Sequence, residues 1–369
     1  MKREMKHRII TKLEEIKGYE LLSDEEKNKY QNIFSRHPMK IPEYYYDLID
    51  FSDQDDPIKK LAIPSFEELN SRGEVDTSGE ASNTKLPGVQ HKYPSTVLVL
   101  STNVCFMYCR HCFRKRMVGY SNEEITKRME VTISYVKDHP EINNVLISGG
   151  DAFTLSNEII ESYLKNLSKI SHLDFIRFGT RSLVVYPQRI YQDRRLLGIL
   201  KKYNKVKEII IVTHFNHAKE ITEEAVLAIK ALKEIGISVR NQTVLLKGIN
   251  DQAEVLAELL SKLTKVGIHP YYVFQCRPVK GATHFQVSLS QGMDIINGTR
   301  ERLNGIAKGF RYIMAHRKGK IEIVGKTETD FIFKFHQNKY PEDSNRIFIR
   351  TASLTACWLN DDLELIDIT

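Results

Sequence analysis

From about residue 95 onward, apolar positions fall into two alternating rhythms. Short runs rich in β-branched residues read as strands: Thr96–Leu100, Asn144–Ile147, Phe175–Phe178, Glu208–Val212, Ser238–Leu245 and Tyr271–Gln275. Between them lie longer runs with helical spacing. The clearest spans Thr222 to Ile235, with Val226, Ile229 and Leu232 on one face and Gly236 as its stop. Asp251 to Val266 repeats the design, with Leu256, Leu259, Leu260 and Leu263 apolar and Gly267 after it. Strands alternating with helices predict parallel βαβ units, arranged as an open partial barrel or as a doubly wound sheet.

The flanks read differently. Residues 1 to about 90 are charged and partly helical, and Ser23 with Glu26 forms a capping box before a helix through Phe34. The stretch from Phe51 to Gln90 carries Pro57, Pro64 and Pro87 and reads as an irregular arm of the kind that wraps a domain or a partner subunit. In the tail, Lys320–Val324, Phe331–Phe335 and Arg346–Ile349 suggest short strands that close or cap one face. The expected division is an arm over 1–90, a region of alternating strands and helices over 91–310 and a β-rich cap over 311–369.

Composition changes this picture little. The chain has 369 residues, 41% hydrophobic and 27% charged, enough for one barrel-sized core. A net charge of +7 is modest and scattered, which admits anionic ligands without calling for nucleic acid. The first twenty residues hold no apolar stretch of the secretory kind, and no run approaches the ~18 apolar residues of a membrane span. Five cysteines, three of them crowded together, do not suggest a disulfide framework. A reducing cytoplasm is the expected setting.

Those three cysteines are the strongest chemical signal. Cys105, Cys109 and Cys112 stand in one loop after the first strand, in STNVCFMYCRHCFRKR. Thiolates so placed can ligate soft metal centres. An iron–sulfur cluster held by three thiolates has one iron open to another ligand. Zinc would want a fourth ligand, and His111 is hemmed in by its neighbours. Arg110, Arg114, Lys115 and Arg116 crowd the loop; exposed, such a run is ordinarily a solvated basic face, whereas beside an anionic cofactor or a carboxylate an arginine fork has a specific role.

In parallel α/β folds, sites gather at the C-terminal ends of strands. Ser148, Gly149, Gly150 and Asp151 follow the second strand, and Thr180 and Arg181 the third. Thr213, His214, Phe215, Asn216 and His217 follow the fourth, Asn241 and Gln242 lie within the fifth, and Cys276 and Arg277 end the sixth. Glycines let backbone approach a ligand closely, and Asp151 can accept from an ammonium group; the same Gly-Gly-Asp also makes an ordinary turn. His214 and His217 are as compatible with hydrogen-bonded structure as with metal ligation.

The run Cys-x3-Cys-x2-Cys, followed by a Gly-Gly loop, resembles the radical S-adenosylmethionine (SAM) superfamily. MYCRHCFRKR, LISGGDAFTL, VTHFNHAKEIT, RNQTVLLKGIND and PYYVFQCRPVKGATHF resemble lysine 2,3-aminomutase and its relatives, and the likeness covers about residues 40 to 325. The resemblance implies a partial (β/α)6 radical SAM barrel with a helical N-terminal arm and a small β-rich C-terminal cap. It implies a [4Fe-4S] cluster on Cys105, Cys109 and Cys112 and a 5′-deoxyadenosyl radical made from SAM. The radical would take hydrogen from C3 of an amino acid whose nitrogen is held by pyridoxal phosphate (PLP) and moves from C2 to C3. Carried over residue by residue, Ser148, Gly149, Gly150, Asp151 and His214 fall at SAM contacts. Arg114 falls at the substrate carboxylate, Gln242 at the PLP phosphate and Lys320 at the PLP-binding lysine. A one-electron donor such as flavodoxin or ferredoxin and a homo-oligomer are implied as partners, and neither nucleic acid nor membrane.

The departures are as informative. Lys320 keeps one glycine, Gly319, of the family's glycine-rich stretch, and two phosphate arginines appear as Lys92 and Thr96. The aspartates that hold a lysine's distal ammonium fall at Arg277 and Ile313. A cation there suits a carboxylate or neutral side chain, so a glutamate-like or neutral substrate is expected. The alternatives are a PLP-independent radical SAM enzyme acting on a peptide or modified small molecule, and a non-catalytic iron–sulfur or zinc protein.

Overall fold

The computed structural model describes residues 8–119, 125–126 and 128–367. One sheet of twelve strands runs through the described residues, and its strands lie side by side in chain order. They are β1 (Thr84–Leu86), β2 (Val89–Tyr93), β3 (Thr96–Thr102), β4 (Asn144–Gly149), β5 (Phe175–Gly179) and β6 (Glu208–Thr213). There follow β7 (Ser238–Leu245), β8 (His269–Gln275), β9 (Arg311–His316), β10 (Gly319–Lys326), β11 (Asp330–Asn338) and β12 (Ile347–Thr351). Pairing is parallel from β3 to β9 and antiparallel on both sides of that block. Parallel strands in chain order, joined through outer helices, make the expected partial α/β barrel, extended by antiparallel strands.

Helices cover the outer face. The capping box of Ser23 and Glu26 starts α1 (Asp24–Arg36). The barrel helices are α2 (Met129–Asp138), α3 (Asn157–Leu167), α4 (Arg194–Asn204), α5 (Glu223–Glu234), α6 (Ala253–Val266) and α7 (Leu289–Arg302). Thr222 caps α5, and Gly267 ends α6 in the left-handed conformation. Leu256, Leu259, Leu260 and Leu263 are buried as their spacing requires.

Two expectations are corrected. The end of the supposed irregular arm is regular: from Thr84 it enters a β-hairpin turned at Gly88, whose second strand runs on to Tyr93 and pairs with β3. The tail begins with a seventh parallel strand, β9, paired with β8. Its residues Tyr312 to Ala315 are buried on both faces, so no alternation marks it as a strand.

Alternation along the parallel strands decides where a site can form. Val97, Val145, Ile147, Ile176 and Phe178 are fully buried beneath the helices. The alternate positions Thr96, Asn144, Ser148, Arg177 and Gln242 keep partial access and line the barrel lumen.

Candidate active site

The cysteine loop leaves the C-terminal end of β3 and is gripped by the arm. Tyr108 N–H donates to Lys40 O at 3.0 Å and Arg110 N–H to Leu61 O at 3.1 Å. Lys40 Nζ donates to Cys105 O at 2.8 Å. The basic run is not a solvated face. Arg110 donates through Nε and Lys115 through Nζ to Glu68, at 2.8 and 2.7 Å. Arg114 Nε and Arg116 Nη2 donate to the two oxygens of Glu80, at 2.8 and 2.7 Å. Burial pushes both carboxyls up, yet the paired cations hold Glu68 and Glu80 at about 2. Two arm carboxylates thus pair with four cations around the cysteines and leave that group of side chains net positive.

The loop after β4 packs on the same segment. Gly149 has φ +111°, and a Cβ on it would meet Thr102 O. A Cβ on Gly150 would meet Val104 O, while its N–H donates to Thr102 O at 2.6 Å. The glycines therefore let this loop close on the cysteine backbone. Asp151 is buried, and its carboxylate accepts from Thr180 Oγ1 at 2.6 Å and from the N–H groups of Phe153 and Arg181, each at 2.9 Å. It brackets the β4 and β5 loops. Arg181 in turn donates to Cys109 Sγ at 2.9 Å and pairs with buried Glu220, which also accepts from Tyr45 of the arm at 2.6 Å. His214 is pushed down to about 4 by burial and by Arg181, and it bonds to the backbone of Gln242. His217 instead caps a short turn, accepting from Lys219 N–H at 3.1 Å.

The thiols fit a multi-iron group better than a single ion. All are free, and burial pushes Cys112 up to about 11 and Cys105 well above its usual range. Two sulfurs on one zinc lie at most ~4.6 Å apart. Among the described residues these three do not form a set with ligand atoms all within 4.8 Å of one another. His111 lies edge-on to Phe285, with ring centroids 6.3 Å apart.

Deeper in the lumen stands Lys320, on β10. Its Nζ donates to Gln337 Oε1 at 2.6 Å and lies 4.9 Å from the Tyr93 ring centroid and 5.4 Å from that of Tyr272. Burial, aided by the charges of Arg177 and Arg277, pushes its ammonium down to about 7. Lys92 donates to His316 O at 2.6 Å and is pushed well below its usual value by burial, Arg277 and Lys320. Arg277 is pushed down to about 10 by burial; it bonds to Ser78 Oγ. The guanidinium carbons of Arg277 and Arg114 each lie 4.6 Å from the centroid of one ring, Phe113. Cations outnumber carboxylates here, because Glu80 is already shared by Arg114 and Arg116. A neutralisable lysine within a cationic, aromatic lumen fits an aldehyde cofactor that carries a phosphate.

The structure thus gathers Cys105, Cys109, Cys112, Ser148 to Asp151 and His214 at the barrel mouth. Below it, Arg277 lies within electrostatic reach of Arg114, Lys92 and Lys320, while Gln242 on β7 is tied through its backbone to His214. Sequence reasoning missed Glu68, Glu80 and Gln337. For the two glutamates a signal existed: acidic residues in an arm that precedes a loop of four cations.

Residues 99–260 match the family described as Radical SAM superfamily. L-lysine 2,3-aminomutase of Clostridium subterminale is 40% identical over 305 residues, 82% of this chain and 72% of the relative. That of Methanococcus maripaludis is 40% identical over 79% of this chain and 67% of the relative. Glutamate 2,3-aminomutase of Clostridioides difficile is 38% identical over 81% of this chain and 70% of the relative. The chain belongs to the lysine 2,3-aminomutase family, which includes glutamate 2,3-aminomutase, and is an enzyme of the isomerase class. Membership brings with it a [4Fe-4S] cluster and SAM.

Proposed function

We propose that this chain is a PLP-dependent amino-acid 2,3-aminomutase whose substrate has a glutamate-like or neutral side chain rather than that of lysine. One observation carries the reading: Lys320 faces the lumen with its ammonium lowered to about 7, among Lys92, Arg177 and Arg277. When bound, the cluster with SAM supplies a 5′-deoxyadenosyl radical, and PLP supplies an aldehyde for the substrate nitrogen.

The chain's own residues hold, orient and exclude. Cys105, Cys109 and Cys112 are the cluster ligands, with Ser148, Gly149, Gly150, Asp151 and His214 on the SAM side. Lys320 has a neutral amine available near neutral pH, as a lysine that must attack a carbonyl needs. Lys92 and Gln242 serve the phosphate. Arg114 takes the α-carboxylate and Arg277 the distal group, spaced by Phe113, a pairing that suits a dicarboxylic amino acid and repels an ammonium. The arm, docked over the mouth, keeps water from a reactive radical. A cytoplasmic setting and a one-electron protein donor belong to the same proposal.

The test is anaerobic reconstitution with iron, sulfide, SAM, PLP and a pool of amino acids, read by mass spectrometry. A β-amino acid from glutamate or a neutral amino acid, with 5′-deoxyadenosine, is expected. β-Lysine as the sole product would overturn the substrate assignment. SAM cleavage without any β-amino acid would overturn the aminomutase reading.

A further inference from the structure

Arg177 lies midway along β5 on the lumen side, and its surroundings are unusual. Its Nη2 donates to Asn144 Oδ1 at 2.5 Å, and Asn144 Nδ2 donates to Thr96 Oγ1 at 2.9 Å and to Ser95 O at 3.0 Å. Its Nε is buried and has no hydrogen-bond partner among the described residues. Tyr271, Tyr272, Arg240 and Lys320 lie within its electrostatic reach, and among the described residues no carboxylate forms an ion pair with it. Burial pushes its guanidinium below its usual value, and its charge in turn depresses Lys320. A buried guanidinium without a counter-charge is costly, and a planar fork with a spare donor suits a phosphate.

We infer that Arg177 is an anion-binding residue of the lumen that contacts the phosphate of PLP from the β5 side. The inference rests on the PLP reading above, and it adds a residue that the cysteine, glycine and lysine motifs do not include. Asn144 positions the guanidinium: its amide is anchored to Ser95 and Thr96, so its carbonyl is fixed towards Arg177. Lys92 reaches the lumen from β2, so the phosphate would have a cation from each side.

The test compares PLP with pyridoxal, which has the same aldehyde and no phosphate. Each is titrated into the apoprotein, trapped on Lys320 with borohydride and located by peptide mass spectrometry. In Arg177→Gln, PLP affinity should fall on the order of ten- to a hundred-fold, as the loss of one charged hydrogen bond implies, while pyridoxal trapping is unchanged. Arg177→Lys keeps a charge and should lie between the two, which also covers any loss of folding in the glutamine variant. Inorganic phosphate binding, measured by calorimetry, should follow the same order. Equal losses for PLP and pyridoxal, or phosphate binding that ignores Arg177, would overturn the inference. If the wild type traps neither aldehyde while phosphate binding still depends on Arg177, the PLP reading fails and the anion site stands.

Discussion

Arg110 donates through Nε to Glu68 Oε1 at 2.8 Å across 42 residues of chain, and both side chains are buried. The bond joins the cysteine loop to the arm, and Lys115 completes it from the same loop. The arm is therefore part of the site, and its docking depends on charge.

Acid should undock it. The carboxyls of Glu68 and Glu80 are held at about 2 in the folded state, below the ordinary 4.5. The unfolded chain therefore takes up protons first as pH falls. The stability these groups contribute is complete above 4.5 and is lost progressively as pH falls through about 2. Glu68→Gln should cost about 3–5 kcal/mol at neutral pH, because it leaves Arg110 and Lys115 buried with a partner stripped of charge. Its melting temperature should depend less steeply on acid pH than that of the wild type. Identical acid slopes would contradict the assignment.

Lys320 should titrate near neutrality. Differential reductive methylation of the apoprotein across pH, read by peptide mass spectrometry, is expected to show half-maximal reactivity at about 7 for Lys320. Ordinary lysines respond only at much higher pH. A midpoint above ten, the ordinary lysine range, would mean that the lumen does not desolvate this amine.

Gly150→Ala should damage the cluster site without touching a cysteine. The added methyl meets Val104 O, and backbone must shift to admit it. Iron content after anaerobic reconstitution is expected to drop severalfold while far-ultraviolet circular dichroism stays native. Full iron loading would show that the loop tolerates the shift.

Arg277→Asp tests side-chain recognition. Replacing the cation that shares Phe113 with Arg114 should lower kcat/KM for glutamate about a hundredfold, mostly through KM, the scale of a lost charge-assisted contact. A neutral amino acid should suffer less. Unchanged kinetics with glutamate would place its distal group elsewhere.

Much of the fold could be read from rhythm. The strand candidates from Thr96 to Gln275 occur within a few residues of their expected limits, because parallel strands flanked by helices leave a strong alternation of apolar runs. Strand β9 escaped because Tyr312 to Ala315 are apolar on both faces, and the hairpin of β1 and β2 escaped because it is short and polar.

The sequence by itself determined the cysteine spacing, the glycine pair and the order of strands that carries these motifs to one end of a barrel. Those properties are local: a thiol triad and a turn glycine are legible wherever they stand. Only the tertiary structure decided that four cations beside the cysteines are buried rather than solvated, that Glu68 and Glu80 pair with them, and that Lys320 shares a lumen with Lys92, Arg177 and Arg277. Those facts depend on pairs far apart in the chain and on desolvation, and the charge state of a side chain is set by what folding brings beside it.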